Sequence, residues 1–337
     1  MKDRYQELVC EETSEELHSV TQNSVSDSGY PNLPAVSAGE CAEKLSVYTD
    51  KDGNKAPIPT GWTVSGAEKE NTIWGKGVSL VIYRVSKGIA KNVKWEISEE
   101  LEVLKKTHEQ LVWCPVEKLQ ANGTLDGVNN TEKFGRRSRK CHIPPERKPE
   151  EPLEGELLEQ IESIKKYGGF YISRYNISKG EKRGPHSVKG AMPWTKIKYH
   201  EAKVVAAGFM RNESATSHLP YGAEYDSVLR WLVDSGAKTY DEIYHDSSKW
   251  GNYWEKEAPI DRVLETGSHE EWSANNLHDL AGNVDEWTQE QCGEMFHAIR
   301  GGYCKVMGEY FPVCYVRYNY SSSSYNDTGF RVAVCIK

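Results

Sequence analysis

Cysteine is the residue type in this chain whose side chains could do redox or metal chemistry. The chain has 337 residues and eight cysteines, at positions 10, 41, 114, 141, 292, 304, 314 and 335. No two of them form a Cys-x-x-Cys pair, so a zinc ribbon or a thioredoxin-like site is not indicated, and buried thiols without a role are the plainer interpretation. Cys304 and Cys314 have nine residues between them and could bind copper(I) as thiolates if the chain brought them together. The ten histidines are scattered, and no Ser/His/Asp set or catalytic pair of acids is apparent.

Tyrosine, serine and asparagine are concentrated near the C-terminus. Residues 300–337 contain six tyrosines and none of the ten tryptophans of the chain. Tyrosine supplies a large, stiff contact area, and serine and asparagine supply adaptable hydrogen bonds, as in antibody combining sites. The composition therefore predicts a binding face. The alternative is an ordinary loop whose tyrosines pack against the tryptophan-rich stretch at residues 247–257.

The charge of the chain is unevenly distributed. The formal net charge is −8 at pH 7, and residues 1–50 hold ten acids and three bases. An acidic chain is a poor partner for nucleic acid, and we interpret the basic run at residues 133–140 as a solvated loop. No apolar run is long enough to span a bilayer, and acids interrupt the place where a secretion signal would need its apolar core.

Composition also predicts the organisation of the chain. Residues 1–45, acidic and then rich in Ser, Pro and Gly, predict a flexible tether or assembly arm, with a terminal segment of no function as the alternative. Residues 46–337 are predicted to form one domain, in which residues 118–152, polar and rich in Gly and Asn, are an exposed insertion.

Hydrophobic periodicity predicts the elements that must position the C-terminal segment. Leu157, Leu158, Ile161 and Ile164 are predicted to share the buried face of one helix, which Gly168 ends. The order of helices and strands predicts an α+β domain built on an antiparallel sheet. The predicted strands are 78–85, 109–117, 169–178, 298–303 and 330–337, and the predicted helices are 97–110, 153–169, 195–210 and 221–236.

Several stretches, in a fixed order, carry a resemblance to a known family. They are GGFYISRYNIS, PWTKIKYHEA, LPYGAEYDSVLRWL, NNLHDLAGNVDEWTQE, IRGGY and GFRVAV, from about residue 165 to the end. The combination of GNVDEW, RGG and GFR resembles the formylglycine-generating-enzyme, or sulfatase-modifying factor, type of C-type-lectin fold. This implies an α+β, C-type-lectin-like fold with much irregular loop structure. The glycines of these motifs predict tight or left-handed turns, Trp287 a core position, and Arg331 a structural ion pair.

The resemblance also implies a calcium site at the GN turn. The ligands that the resemblance implies are the carboxylates of Asp279 and Glu286 and the backbone oxygens of Gly282 and Val284. Closely spaced oxygen ligands suit a hard cation. The alternative is that the two acids cap turns and pair with arginines.

The enzymes that this chain resembles oxidise a substrate cysteine with copper and two cysteines. Their thiols follow the RGG turn in a Cys-x-x-x-x-Cys spacing, from which Cys304 and Cys314 depart. We therefore predict that the chain is not an enzyme and requires no cofactor. Copper-dependent formylglycine generation through Cys304 and Cys314 is the alternative.

The other branch of the resemblance is to the variable proteins of diversity-generating retroelements. In these, the segment between RGG and GFRVA is a diversified binding face, and mutagenesis at template adenines yields Tyr, Ser and Asn but not Trp, Lys, Glu or Met. Lys305, Met307 and Glu309 would then be fixed positions. The predicted displayed set is Tyr303, Tyr310, Phe311, Tyr315, Arg317, Tyr318, Asn319, Tyr320, Tyr325 and Asn326.

This branch predicts a binding protein in a phage setting. The expected partner is a protein or cell-surface ligand, with phage or prophage host attachment as the setting. Residues 1–45 would serve assembly into a virion or a homo-oligomer. The expected location is the phage tail, or the cytoplasm before assembly.

Overall fold

The secondary structure is that of a computed structural model, which describes residues 45–64, 73, 80–84, 98–116, 157–180, 184–254 and 262–337. The predicted insertion (118–152) and all but the last residue of the predicted tether (1–45) lie outside these ranges. The strands are β1 (Ser46–Thr49), β2 (Lys55–Ile58), β3 (Trp62–Val64), β4 (Val81–Arg84), β5 (Gln110–Pro115), β6 (Gly169–Ser173), β7 (Ser178–Lys179), β8 (Pro185–His186), β9 (Ala215–His218), β10 (Ser273–Ala274), β11 (Leu277–His278), β12 (Asp285–Cys292), β13 (Phe296–Arg300), β14 (Arg317–Tyr320), β15 (Thr328–Phe330) and β16 (Ala333–Ile336). The helices are α1 (Ser98–Thr107), α2 (Leu158–Tyr167), α3 (Tyr199–Phe209), α4 (Gly222–Asp234) and α5 (Tyr240–Tyr244).

The larger sheet has the strand order β3-β4-β5-β6-β16-β9, and each neighbouring pair is antiparallel. Its strands are apolar on both faces because helices cover both. Alternate residues such as Val112 and Phe170 pack with α2 and α4, whereas Leu111 and Tyr171 pack with α3. The last strand, β16, lies between β6 and β9, so the C-terminus completes the sheet.

Helix α2 differs from its prediction at one residue. Leu157, Ile161 and Ile164 are buried, but Leu158 is 52% exposed, so the prediction that it shares the buried face is wrong. The reason is angular, since each residue turns the helix by about 100° and Leu158 falls beside the stripe that the other three form. Gly168 ends the helix as predicted, with a left-handed φ of 79°.

The smaller sheet has the order β14-β13-β12-β15 and holds part of the predicted binding segment. Its β12–β15 pair is parallel, so the predicted antiparallel arrangement applies to the larger sheet but not to all of this one. The cause is the chain path: β14 and β15 run in the same direction on opposite edges, and residues 321–327 connect them. Among the described residues, no helix is long and apolar enough to cross a membrane.

The GN turn at Gly282 and Asn283 packs closely against neighbouring backbone. The predicted left-handed backbone is confirmed at Gly282 (φ 71°), Asn283 (61°) and Gly301 (94°). The Gly282 amide donates to the Gly301 carbonyl at 2.8 Å. A Cβ at Gly282 would lie 2.4 Å from the Asn252 carbonyl oxygen, so neither conformation nor space admits a side chain there.

Gly282→Ala should destabilise the protein more than Gly236→Ala. Gly236 has nearly the same φ (73°), but a methyl group there would have no neighbour within 4 Å, so it isolates the cost of left-handed backbone, about 1 kcal/mol. The added clash with backbone should raise the loss at Gly282 to about 3 kcal/mol. Urea unfolding of both variants measures the difference, and equal losses would contradict the assigned close approach.

Candidate binding face and cation site

Side-chain exposure separates the predicted binding residues from their neighbours. None of the ten predicted positions is buried, and Tyr310 (61% exposed), Tyr320 (50%) and Asn326 are exposed. Other residues of the same segment are buried, among them Cys304, Val313, Cys314, Val316 and Ser321. The segment therefore contains both accessible and buried side chains, and all ten predicted positions are among the accessible ones.

Strand β14 divides the predicted set between two sides of the smaller sheet. Successive side chains of a strand point to opposite faces, so Tyr318 and Tyr320 lie on one face, and Arg317 and Asn319 on the other. The composition of the segment does not reveal this strand. A ligand that binds to one face of β14 therefore contacts either Tyr318 and Tyr320 or Arg317 and Asn319, but not all four.

One group of predicted residues forms an aromatic cluster, which we define as Tyr303, Phe311, Tyr315 and Arg317. The Arg317 guanidinium lies 4.6 Å from the ring centre of Tyr303 and 5.8 Å from that of Phe311. The rings of Phe311 and Tyr315 meet edge to face, with 4.9 Å between centres. Arg317 also forms an ion pair with Asp285, which fixes the cluster to β12.

Tyr318 and Tyr320 have different supports on their shared face. The Tyr318 hydroxyl donates to Glu290 Oε1 at 2.8 Å. The ring of Tyr320 lies 4.3 Å from that of Phe296, its partner on β13, and half of its surface is accessible. Sequence analysis missed Phe296, because only the strand register places it beside the predicted residues.

Tyr325 and Asn326 lie on the connection to β15. The Tyr325 ring is 6.2 Å from the Trp287 ring, and its carbonyl accepts a 2.8 Å hydrogen bond from the Lys196 amide. Trp287 is fully buried, as predicted. Asn326 is exposed. Tyr325 is thus anchored to the core at one edge of its ring, whereas Asn326 is accessible to a ligand.

The two thiols of the alternative hypothesis are inside the protein. Cys304 is 0% and Cys314 2% exposed, and both are reduced. Cys314 packs in a core cluster that includes Val313 and Ile243. A polypeptide substrate would have to reach these sulfurs to form a mixed disulfide, and their burial prevents it in this conformation.

Two buried carboxylates lie at the predicted cation turn. Glu286 Oε1 accepts from Arg331 Nε at 2.8 Å and from Asn176 Nδ2 at 2.7 Å, whereas Oε2 has no hydrogen-bond partner among the residues that the structure describes. Asp279 Oδ2 accepts from the Gly267 amide at 2.7 Å. Burial raises the pKa of Asp279 to about 6 and that of Glu286 to about 7, although Arg331 opposes both shifts.

These contacts bear on both interpretations of the turn. The predicted pairing of Arg331 with an acid is confirmed by its bond to Glu286. One buried arginine nevertheless faces two buried acids, and an orphaned carboxylate oxygen is costly. Buried carboxylates with a surplus of negative charge suit a hard cation. Calcium bound by Asp279, Glu286 and the carbonyls of Gly282 and Val284 stays a prediction.

The sequence of this fold matches a known protein family. Residues 147–336 match the family model of the sulfatase-modifying factor enzyme 1-like domain, which is more than half of the 337-residue chain. The chain belongs to this family. The match confirms the predicted α+β, C-type-lectin-like fold of the formylglycine-generating type, with its mixed sheets and irregular loops.

Solved structures similar to this sulfatase-modifying factor domain include three with low sequence identity. Treponema denticola variable protein 1 is 14% identical, with a TM-score of 0.38 over 50% of this chain and 85% of that one. CarF is 16% identical, with a TM-score of 0.39 over 50% and 87%. PvdO from Pseudomonas aeruginosa is 18% identical, with a TM-score of 0.35 over 50% and 81%. Comparison with curated proteins gives no match.

We expect calcium to raise the melting temperature at neutral pH, because a cation bound only by the folded state stabilises it. At a concentration of about 100 times the Kd the gain is about 2.7 kcal/mol, or roughly 5 °C for a domain of this size. Calorimetry in calcium and in EGTA measures the shift. Asp279→Asn and Glu286→Gln should abolish it, whereas Glu271→Gln, at a side chain 65% exposed, should not. A shift that survives in Glu286→Gln would rule out this site.

Proposed function

We propose that this member of the sulfatase-modifying factor family is a non-enzymatic ligand-binding protein. Its binding face is the C-terminal segment at residues 300–337, diversified by a retroelement. The observation that carries the proposal is the accessibility of the predicted set: none of the ten positions is buried, whereas Cys304, Val313, Cys314 and Val316 of the same segment are buried and pack it against the protein.

The ends of the segment are firmly held. At its start, Arg300 is fully buried and its guanidinium lies 2.5 Å from Asp226 and 4.7 Å from the ring centre of Tyr225. At its end, Arg331 bonds Glu286 and the carbonyl oxygens of Ser173 and Arg174. Side chains between two such anchors can change identity without loss of the backbone path.

The accessible side chains suit protein recognition. Tyr310 and Tyr320 offer large apolar rings with a polar end, and few rotatable bonds are immobilised when they bind. A preorganised backbone lowers the entropy cost of binding further. The partner we propose is a protein or another cell-surface ligand, in the setting of phage or prophage host attachment.

Burial of both thiols supports a binding role over catalysis. Formylglycine generation requires a substrate cysteine to reach an active thiol, and Cys304 and Cys314 are shielded by the protein. Cys314 Sγ lies 4.0 Å from the Tyr244 carbonyl oxygen, within the core and not in a cleft.

Sequencing of the 3′ end of the gene across a population of its source tests the diversification. We expect substitutions to concentrate at the ten predicted positions, because none of them is buried and their variation leaves the core undisturbed. Codons for the motifs at residues 300–302 and 329–333 should be unchanged. A uniform sequence through residues 303–326 would contradict diversification, and substitutions spread equally over buried and accessible positions would contradict the assigned face.

Stability measurements test the separation of face from scaffold without a ligand. Tyr310→Ser and Tyr320→Asn should change the free energy of unfolding by less than about 1 kcal/mol, because both side chains are largely accessible. Val316→Ala should cost about 2 kcal/mol, since Val316 is fully buried. Urea unfolding provides the values. Large losses at both tyrosines would make them structural residues.

A further inference from the structure

Three potential metal ligands meet at one end of the larger sheet. A ring nitrogen of His218, a carboxylate oxygen of Glu224 and the sulfur of Cys335 all lie within 4.8 Å of one another. No other group of three or more His, Cys, Asp or Glu residues in the described part of the chain meets this condition. We call it the His-Glu-Cys cluster.

The fold brings the cluster together from three elements. Strands β9 and β16 are antiparallel, with His218 opposite Ala333 and Thr216 opposite Cys335. His218 and Cys335 are therefore diagonal neighbours on one face of the sheet. Glu224 comes from the first turn of α4, where its carboxylate accepts a 2.9 Å hydrogen bond from the Tyr221 amide.

The cluster is nearly dry but borders solvent. Glu224 is fully buried and Cys335 is 3% exposed, whereas the His218 side chain keeps 15% of its surface accessible. Cys335 also lines an open cleft of about 420 Å³, together with Ser163, Lys166 and Thr216. A small ion can thus enter from this cleft without unfolding of the domain.

Two of the three donors are already in contact. His218 Nε2 lies 2.9 Å from both carboxylate oxygens of Glu224. Ligand atoms around a tetrahedral zinc ion lie roughly 3–4 Å apart. The three donor atoms of the cluster, all within 4.8 Å of one another, are close to this spacing.

We propose that His218, Glu224 and Cys335 bind a zinc(II) ion, with the fourth position open to water. Nitrogen, oxygen and sulfur donors together favour zinc, because calcium does not take a thiol ligand and copper(I) does not favour a carboxylate. The site shares no residue with the ten predicted binding positions or with the predicted calcium turn, although Cys335 belongs to the same C-terminal segment.

Zinc binding must displace the thiol proton. Burial raises the pKa of the Cys335 thiol well above its usual value, and Glu224 raises it further, so the thiol is protonated before the metal arrives. The balance is one zinc ion and one thiol giving a zinc–thiolate bond and one released proton. The Ser163 side chain, which hydrogen-bonds the Cys335 sulfur, helps to hold it in place.

Cobalt(II) is the probe for this site, because it replaces zinc and reports sulfur ligation by colour. The full chain, stripped with EDTA, should show a thiolate-to-cobalt charge-transfer band and tetrahedral ligand-field bands that saturate at one equivalent. Zinc should displace the cobalt, and excess calcium should not. Absence of the charge-transfer band in the wild-type protein would overturn the proposal, whether or not any variant folds.

Variants identify the ligands. Cys335→Ser should remove the charge-transfer band, and His218→Gln should lower zinc affinity by about 100-fold or more, measured by competition with a chromophoric chelator. Cys314→Ser, which removes a buried thiol elsewhere, and His269→Gln, at an exposed histidine, should leave both readouts unchanged. A charge-transfer band that survives in Cys335→Ser would show that Cys335 is not the thiolate ligand. His218 and Glu224 would then be an ordinary hydrogen-bonded pair. Near-ultraviolet circular dichroism verifies that each variant is folded.

Discussion

The structure depends above all on the buried guanidinium of Arg331. It donates to the Glu286 carboxylate of β12 and to backbone carbonyls of Ser173, Arg174 and His278. These acceptors belong to β6, the turn after it, β11 and β12, so one side chain connects the two main sheets. The chain carries the guanidinium between β15 and β16, which belong to different sheets. Removal of one partner from a buried ion pair costs about 3–5 kcal/mol in other proteins, which indicates how strongly this junction is specified.

The contacts of Arg331 also bear on where an ion or a ligand could bind. Around Arg331, several buried polar atoms have no hydrogen-bond partner among the described residues, and they include Glu286 Oε2, Asn176 Oδ1 and His278 Nδ1. Two of the predicted binding residues contact buried acids of β12 other than Glu286: Tyr318 bonds Glu290, and Arg317 pairs with Asp285. Under the proposed function, the contacts of Arg331 that fix the backbone are therefore made by other residues than those that recognise a ligand.

Sequence alone predicted the parts of the fold that rest on strong periodicity. Val228, Leu229, Trp231 and Leu232 of α4 are all buried, as their helical spacing predicts. Strand β12 was missed because its sequence, DEWTQEQC, lacks apolar alternation and its side chains serve polar networks. The sequence also could not predict which distant strands pair with each other. Only the register of β9 and β16 brings His218 near Cys335, and only the presence of β14 places Tyr318 and Arg317 on opposite faces of a sheet.

The position of β14 constrains how far its residues can vary. It is an edge strand of the smaller sheet, and an exposed edge that is flat and hydrophobic invites pairing with another chain. This edge is only four residues long and carries Arg317, whose charge opposes such pairing. Tyrosine, serine and asparagine are compatible with an accessible edge because each keeps a polar group in solvent, whereas leucine or isoleucine at Tyr318 and Tyr320 would extend an apolar strip from Phe296. A binding face proposed on an edge strand is therefore confined to amphipathic and polar residues, which is the composition of β14, RYNY.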